Sequence, residues 1–100
     1  MSFIEEKTWY GKTILSDLQG AWGVLRQAIV DNSGFNGWDR ALFHTDEAMS
    51  WEVVRNLRQM PNHLIIIRNL CTQGNACAEI MESIESAHEI LDETLKVYPN

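Results

Sequence analysis

Long apolar runs are absent from this sequence of 100 residues. The longest, Leu64 to Ile67, has four residues, whereas a membrane-spanning helix needs roughly 18 or more. The opening residues lack the basic and apolar regions of a secretory signal. Cysteine is also scarce, and the spacing of Cys71 and Cys77 matches no C-x-x-C metal or redox motif. We therefore expect a cytoplasmic protein that has reduced thiols and no contact with a membrane.

Basic residues are few as well. Eight Lys and Arg against fourteen Asp and Glu give a formal charge of −6, which argues against direct binding to nucleic acid, because its phosphates attract basic surfaces. The acidic excess lies in residues 71–100, where Lys96 is the only basic residue. An acidic stripe at helical spacing in this region predicts either a solvated helix face or a surface that docks on a basic partner protein. The stripe consists of Glu82, Glu85, Glu89 and Asp92.

The rest of the composition, 45% apolar and 22% charged, is typical of one globular domain over residues 1–100. Apolar residues recur at steps of three and four, which is the period of amphipathic helices. The predicted fold is therefore all-α, an antiparallel bundle of three to four helices. The first dozen residues show no clear period and are predicted to form an irregular arm before a helix that follows from about Ile14. A loop at 32–37 precedes a second helix, which we expect to run from Trp38 to the Met60–Pro61 step.

The region after Pro61 has the most regular pattern. Its unbroken phase favours one long C-terminal helix over about residues 61–97. Gln73, Gly74 and Asn75 nevertheless look like a helix stop, so the alternative is a break at Gly74 and a short third helix over 61–73. The seam that this phase predicts consists of Ile67, Leu70, Gly74, Cys77, Met81, Ile84, His88, Leu91 and Leu95.

A continuous C-terminal helix would extend beyond the second helix and leave the end of its apolar seam uncovered. Either helix one or a second copy of the chain could cover it, and we predict a homodimer, because two-fold pairs are the commonest symmetry of soluble oligomers. Two tryptophans away from the main apolar faces also belong to the predicted interface, since tryptophan is enriched in buried contacts. The interface residues are Ile84, His88, Leu91, Leu95, Trp9 and Trp51.

Two pairs of residues have the type and spacing of metal ligands. Glu85 and His88 share the E-x-x-H spacing of bundle proteins that hold two metal ions, and His44 and Glu47 form the reversed pair. In a hairpin that turns near Pro61, the two pairs are offset by roughly 13 Å along the helices. One chain therefore cannot close a metal shell, and we predict no metal and no cofactor, with an arrangement between subunits as the alternative.

The sequence contains no nucleophile elbow, no phosphate-cradling glycine loop and no zinc-finger spacing. His63 stands at a helix start without a nucleophile beside it, and we expect a cap contact or exposure. We predict no enzymatic activity, but a protein-interaction module that acts as a homodimer and serves an unidentified protein partner as inhibitor, adaptor or chaperone. The alternative is a small-ligand binder, for example a nucleotide-sequestering sponge, that uses the outer face of helix two, where Arg55 and Arg58 contact an anion. The residues of this face are Trp51, Arg55, Arg58 and His44.

One short segment bears on that alternative. Glu47, Ala48 and Trp51 form an E-A-x-x-W pattern that resembles a segment of small helical phage proteins that sequester cyclic-nucleotide signals. The resemblance covers three residues of helix two, which is too little to assign the chain to that family.

Overall fold

Four α-helices form a bundle in which α1 packs antiparallel to α4 and α2 antiparallel to α3. The computed structural model describes the backbone of residues 2–53 and 56–97 and the side chains of residues 14–51 and 56–97. None of the helices in these ranges combines the length and the apolarity that a membrane crossing requires. The all-α prediction is confirmed. The helices are α1 Ser2–Asp31, α2 Trp38–Val53, α3 Met60–Gln73 and α4 Ala78–Val97.

Helix α1 begins at Ser2, so the prediction of an irregular arm at the start of the chain is wrong. Gly11 lowers the local helix propensity by about 1 kcal/mol relative to alanine. A helix that has already nucleated nevertheless extends across one unfavourable residue, because each further residue adds a hydrogen bond. The predicted apolar face farther along is buried except for Ala21, which is partly buried. The buried residues of this face are Ile14, Leu18, Trp22, Leu25, Ala28 and Ile29.

Helix α2 ends at Val53, earlier than the predicted Met60. A 3₁₀ turn at Leu57–Gln59 follows, and α3 begins at Met60 with Pro61 in its first turn. Proline is favoured at that position because its missing N–H would have no partner within the helix. Pro61 therefore marks the start of α3, and the connection between the two helices is longer than a tight hairpin turn.

The C-terminal helix is interrupted after Gln73, so the prediction of one continuous helix is wrong and the alternative break is observed. The N–H of Ala76 donates to the carbonyl of Cys71 at 2.9 Å, and the N–H of Asn75 donates to the carbonyl of Thr72 at 3.2 Å. These two bonds form a Schellman motif, which requires a left-handed residue just beyond the helix. Asn75, with φ of 57°, is that residue.

Gly74 is required at the break by the space around it. A Cβ at this position would overlap the carbonyl oxygen of Asn36 and lie 2.9 Å from Cδ2 of Phe35. Its own φ is −86°, a value open to any residue. The turn after α3 thus packs directly on the loop that joins α1 to α2.

The break turns α4 back along the bundle, where α1 covers its apolar face. The buried positions of α4 differ from the predicted seam, in which His88 occupied a core position; His88 is exposed. A globular helix buries a stripe wider than a coiled-coil seam, so the sequence fits more than one register. The buried residues of α4 are Ile80, Ser83, Ile84, Ala87, Leu91 and Thr94.

We predict that Gly74→Ala lowers the free energy of unfolding by about 1–3 kcal/mol, the usual cost of overpacking. The added methyl group meets the backbone of Asn36, which cannot move without displacing the loop. Denaturant unfolding followed by circular dichroism measures the change. Gly34→Ala is the matched control, because no described atom lies within 4 Å of a Cβ there, and it should stay within about 0.5 kcal/mol of the wild type. Equal losses in both variants would contradict the packing explanation.

The two cysteines should differ sharply in reactivity. Cys71 is buried and Cys77 is exposed. Burial, with a smaller contribution from Cys77, raises the pKa of Cys71 from 9.0 to about 11. The thiolate is the reactive form, so iodoacetamide near pH 8 should alkylate Cys77 in the folded chain and Cys71 only after denaturation, as mass spectrometry can show.

The same shift predicts a loss of stability in alkali. The unfolded chain releases the Cys71 proton near pH 9, whereas the folded chain holds it until about pH 11. The folded state therefore binds more protons between these values, and the free energy of unfolding falls as the pH rises through them. Cys71→Ser should lose this component of the pH dependence, which pH-resolved denaturant titrations would detect.

Candidate functional site

A polar cluster joins α2 to α3 at the side of the bundle. His44, Glu47 and Trp51 are three and four residues apart on α2, so they lie on one helix face. His63 comes from the first turn of α3 and is turned toward them. The cluster is thus built from the middle and end of α2 and the start of α3.

Four distances define the cluster. The indole N–H of Trp51 donates to Nε2 of His63 at 2.9 Å. Oε1 of Glu47 lies 3.4 Å from Nδ1 of His63 and 3.7 Å from Nδ1 of His44. The two imidazole rings have centroids 5.8 Å apart. The carboxylate therefore lies within reach of both histidines.

The hydrogen bond from Trp51 determines where the His63 proton is. Indole nitrogen only donates, so Nε2 of His63 must offer its lone pair, and the proton of a neutral imidazole is then on Nδ1. Nδ1 of His63 and Nδ1 of His44 are buried, and neither forms an aligned hydrogen bond with a described residue. Both nitrogens face Glu47 at ion-pair distance but lack the geometry that would fully compensate their burial.

The donor set limits the chemistry of the cluster. Two imidazoles and one carboxylate can move a proton or bind a divalent metal ion, while the indole supplies one hydrogen bond. A nucleophile is not among the four groups, so they do not compose an acyl-transfer triad. The ligand atoms of His44, Glu47 and His63 all lie within 4.8 Å of one another.

This arrangement corrects the geometry expected from the sequence. The offset between His44–Glu47 and Glu85–His88 assumed a hairpin at Pro61, but the partner that meets the α2 pair within one chain is His63. His63 was predicted to be a cap or an exposed residue, and its side chain is only 12% exposed. A signal for this burial exists: His63 is three residues from Met60 and four from Ile67, both of which are buried.

The structure describes only some of the tryptophan and arginine residues that the sequence analysis proposed as contact residues. Trp51 is partly buried and donates its N–H within the chain, so its polar end is not free for a partner. Arg58 is exposed in the 3₁₀ turn before α3. Arg55 lies outside the described residues, as does the side chain of Trp9. The predicted pairing of Arg55 with Arg58 therefore lies outside the described residues.

The proposed dimer residues at the end of the seam are mostly covered by their own chain. Ile84 and Leu91 are buried in the bundle, and Leu95 packs against its core. His88 is exposed and its Nε2 lies 3.9 Å from Asp92. A second subunit is therefore not needed to cover Ile84 and Leu91.

The acidic stripe on α4 is exposed along its length. Glu85 forms an ion pair with Arg68 of α3, and Asp92 lies beside His88. Arg68 and His88 also line a groove of about 270 Å³ between α3 and α4. Glu85 and Asp92 therefore lie beside this groove, whose other lining residues are Pro61, Leu64, Ile65 and Asn69.

No family model matches the chain, and neither does any of the curated proteins or solved structures with which it was compared. The function must therefore be inferred from the residues themselves.

We predict that Trp51→Phe lowers the free energy of unfolding by about 0.5–1.5 kcal/mol, because phenylalanine keeps most of the packing and leaves Nε2 of His63 without its donor. Trp38→Phe is the control, since Trp38 is exposed at the start of α2 and should change the value by less than about 0.5 kcal/mol. Denaturant unfolding in a chelating buffer measures both variants. A Trp51 variant as stable as the Trp38 variant would show that the hydrogen bond contributes nothing.

Proposed function

We propose that this protein is a non-enzymatic protein-binding module that receives a basic, amphipathic segment of another protein in the groove between α3 and α4. Such a surface suits an inhibitor, an adaptor or a specialised chaperone. The observation that carries the proposal is the combination of an exposed apolar side chain, Ile65, with the carboxylates of Glu85 and Asp92 beside the groove.

The apolar part of the argument rests on Ile65. This side chain is 59% exposed, although it belongs to a helix whose other face is packed in the core. Burying it on association would contribute on the order of 1.5–3 kcal/mol if burial became complete. Pro61, which is partly exposed, and the buried Leu64 line the same groove next to Ile65.

The charge around the groove selects the partner. Glu85 and Asp92 contact the groove residues Arg68 and His88, and the rest of the stripe lies on the same helix. A partner with lysine or arginine beside its apolar side chains would meet complementary charge, which raises association rates and suppresses wrong partners. The chain's own formal charge of −6 disfavours a second copy as the occupant.

Self-association stays a separate prediction. The burial of Ile84 and Leu91 within one chain removes the original reason for a dimer, and light scattering of the purified protein tests it directly. Two observations weigh against the ligand-binding alternative: the indole N–H of Trp51 is already donated, and Glu47 would repel a phosphate from the same face of α2.

The proposal predicts binding of a synthetic amphipathic helix built from leucine and lysine, with amide shifts in nuclear magnetic resonance spectra centred on Ile65, Arg68 and His88. Ile65→Ser should weaken binding roughly tenfold or more, which corresponds to the lost burial of one large apolar side chain. Replacing Glu89 by glutamine and Asp92 by asparagine should also weaken binding. This loss of affinity should be larger at low salt than at high salt.

Val24→Ser is the matched control, because Val24 is 61% exposed on α1 and is not among the groove residues. This variant should bind the peptide as the wild type does. An equal loss in the Val24 variant, or equal binding of a peptide with glutamate in place of lysine, would contradict the proposal.

A further inference from the structure

The cluster between α2 and α3 has the donor atoms and the spacing of a metal site. Two of its nitrogen atoms also lack hydrogen-bond partners among the described residues. We propose that His44, Glu47 and His63 bind one zinc ion, through Nδ1 of each histidine and a carboxylate oxygen of the glutamate. The site is distinct from the groove between α3 and α4, because none of its three ligands lines that groove.

Two of the three ligand separations fit tetrahedral zinc. With bonds of about 2.0–2.1 Å, two ligands of a tetrahedral ion are about 3.4 Å apart, whereas neighbouring ligands of an octahedral ion at the same bond length are about 2.9 Å apart. Glu47 Oε1 is 3.4 Å from Nδ1 of His63 and 3.7 Å from Nδ1 of His44. The two Glu47 separations are thus within a few tenths of an ångström of the tetrahedral value, and the three ligand atoms all lie within 4.8 Å of one another.

The bonding state of the histidines supplies a second, independent reason. Nδ1 of His44 and Nδ1 of His63 are buried without a hydrogen-bond partner among the described residues. Buried polar atoms without partners are rare in native proteins and often indicate a missing ion or water. A zinc ion between these nitrogens and Glu47 would satisfy both of them and would balance the carboxylate charge.

Zinc at Nδ1 of His63 requires a rearrangement at Trp51. The proton of His63 has to move from Nδ1 to Nε2, after which the Nε2–H and the indole N–H of Trp51 would point at each other. Two donors cannot bond, so the hydrogen bond of 2.9 Å between these residues must break when the metal binds. The indole of Trp51 thus competes with the metal and changes its environment on binding.

The three protein ligands leave a fourth position of a tetrahedral ion for water or a ligand atom. Glu47 is 41% exposed and forms the open side of the cluster, so the ion can enter there. Imidazole nitrogen with one carboxylate oxygen suits zinc better than calcium or magnesium, which take oxygen ligands. Two ligands come from α2 and one from α3, so the ion would clamp the two helices together across their connection.

The experiment measures zinc binding to the metal-free, untagged full chain by competition with a chromophoric chelator. The proposal expects one ion per chain. His63→Ala and Glu47→Gln should each weaken binding by at least about 10–100-fold, since loss of an outer-shell partner alone has that effect. Cobalt as a substitute should give the intense visible absorption of tetrahedral coordination.

Two variants separate this site from other zinc donors. His88→Ala removes an exposed histidine that also stands beside a carboxylate, and Cys77→Ser removes the exposed thiol; both should bind zinc as the wild type does. If the chain binds no zinc in the competition assay, or if either control weakens binding as much as the ligand variants do, the site is refuted.

Trp51→Phe tests the predicted competition. Removing the indole donor frees Nε2 of His63 to carry the proton, so this variant should bind zinc at least as tightly as the wild type. A merely structural role of the cluster predicts no such effect.

Circular dichroism confirms that each variant is folded; if His63→Ala unfolds, Glu47→Gln and Trp51→Phe still decide the outcome. A chain that binds the lysine peptide but no zinc would refute this site and leave the proposed function intact.

Discussion

Gly74 allows the turn after α3 to lie against the loop after α1, and the bundle depends on that contact. Because no side chain separates Gly74 from the carbonyl of Asn36, α4 can reverse direction at once and return along α1. Its buried face then meets the longest helix of the molecule. The absence of a side chain at Gly74 thereby allows the α3–α4 turn and the α1–α2 loop to pack against each other at one end of the bundle.

Much of this architecture follows from the sequence. The steps of three and four residues identify the apolar face of α1, because burial on one side of a helix imposes that period. In α4 the predicted seam includes only Ile84 and Leu91 of the buried residues. The loop at 32–37 follows from its glycines and asparagines, which tolerate left-handed backbone conformations. The interruption at Gly74 is harder, since the apolar phase continues through it. The helix ends there because of the local hydrogen bonds of the Schellman motif. The residues around Gly74 indicate this motif, whereas the long-range apolar pattern does not.

The candidate site follows from the sequence only in part. His44 and Glu47 are recognisable as a pair from their spacing, but the residue that meets them depends on where α2 ends. That end falls at Val53, seven residues before the predicted Met60, a displacement of about 10 Å along a helix. Such a shift changes which residues of α3 face α2. The length of the connection determines which residues of two helices face each other. The side-chain pattern of either helix alone therefore does not predict their contact.

Helix α3 has only 14 residues, and it serves both sides of the molecule. His63 turns toward α2 while Ile65, two residues later and therefore on the opposite side, forms part of the groove wall. A ligand that pulls α3 toward α2 consequently moves that wall as well. By thermodynamic linkage, any such allosteric effect is reciprocal. If one ligand changes the affinity for the other by a given factor, the second changes the affinity for the first by the same factor.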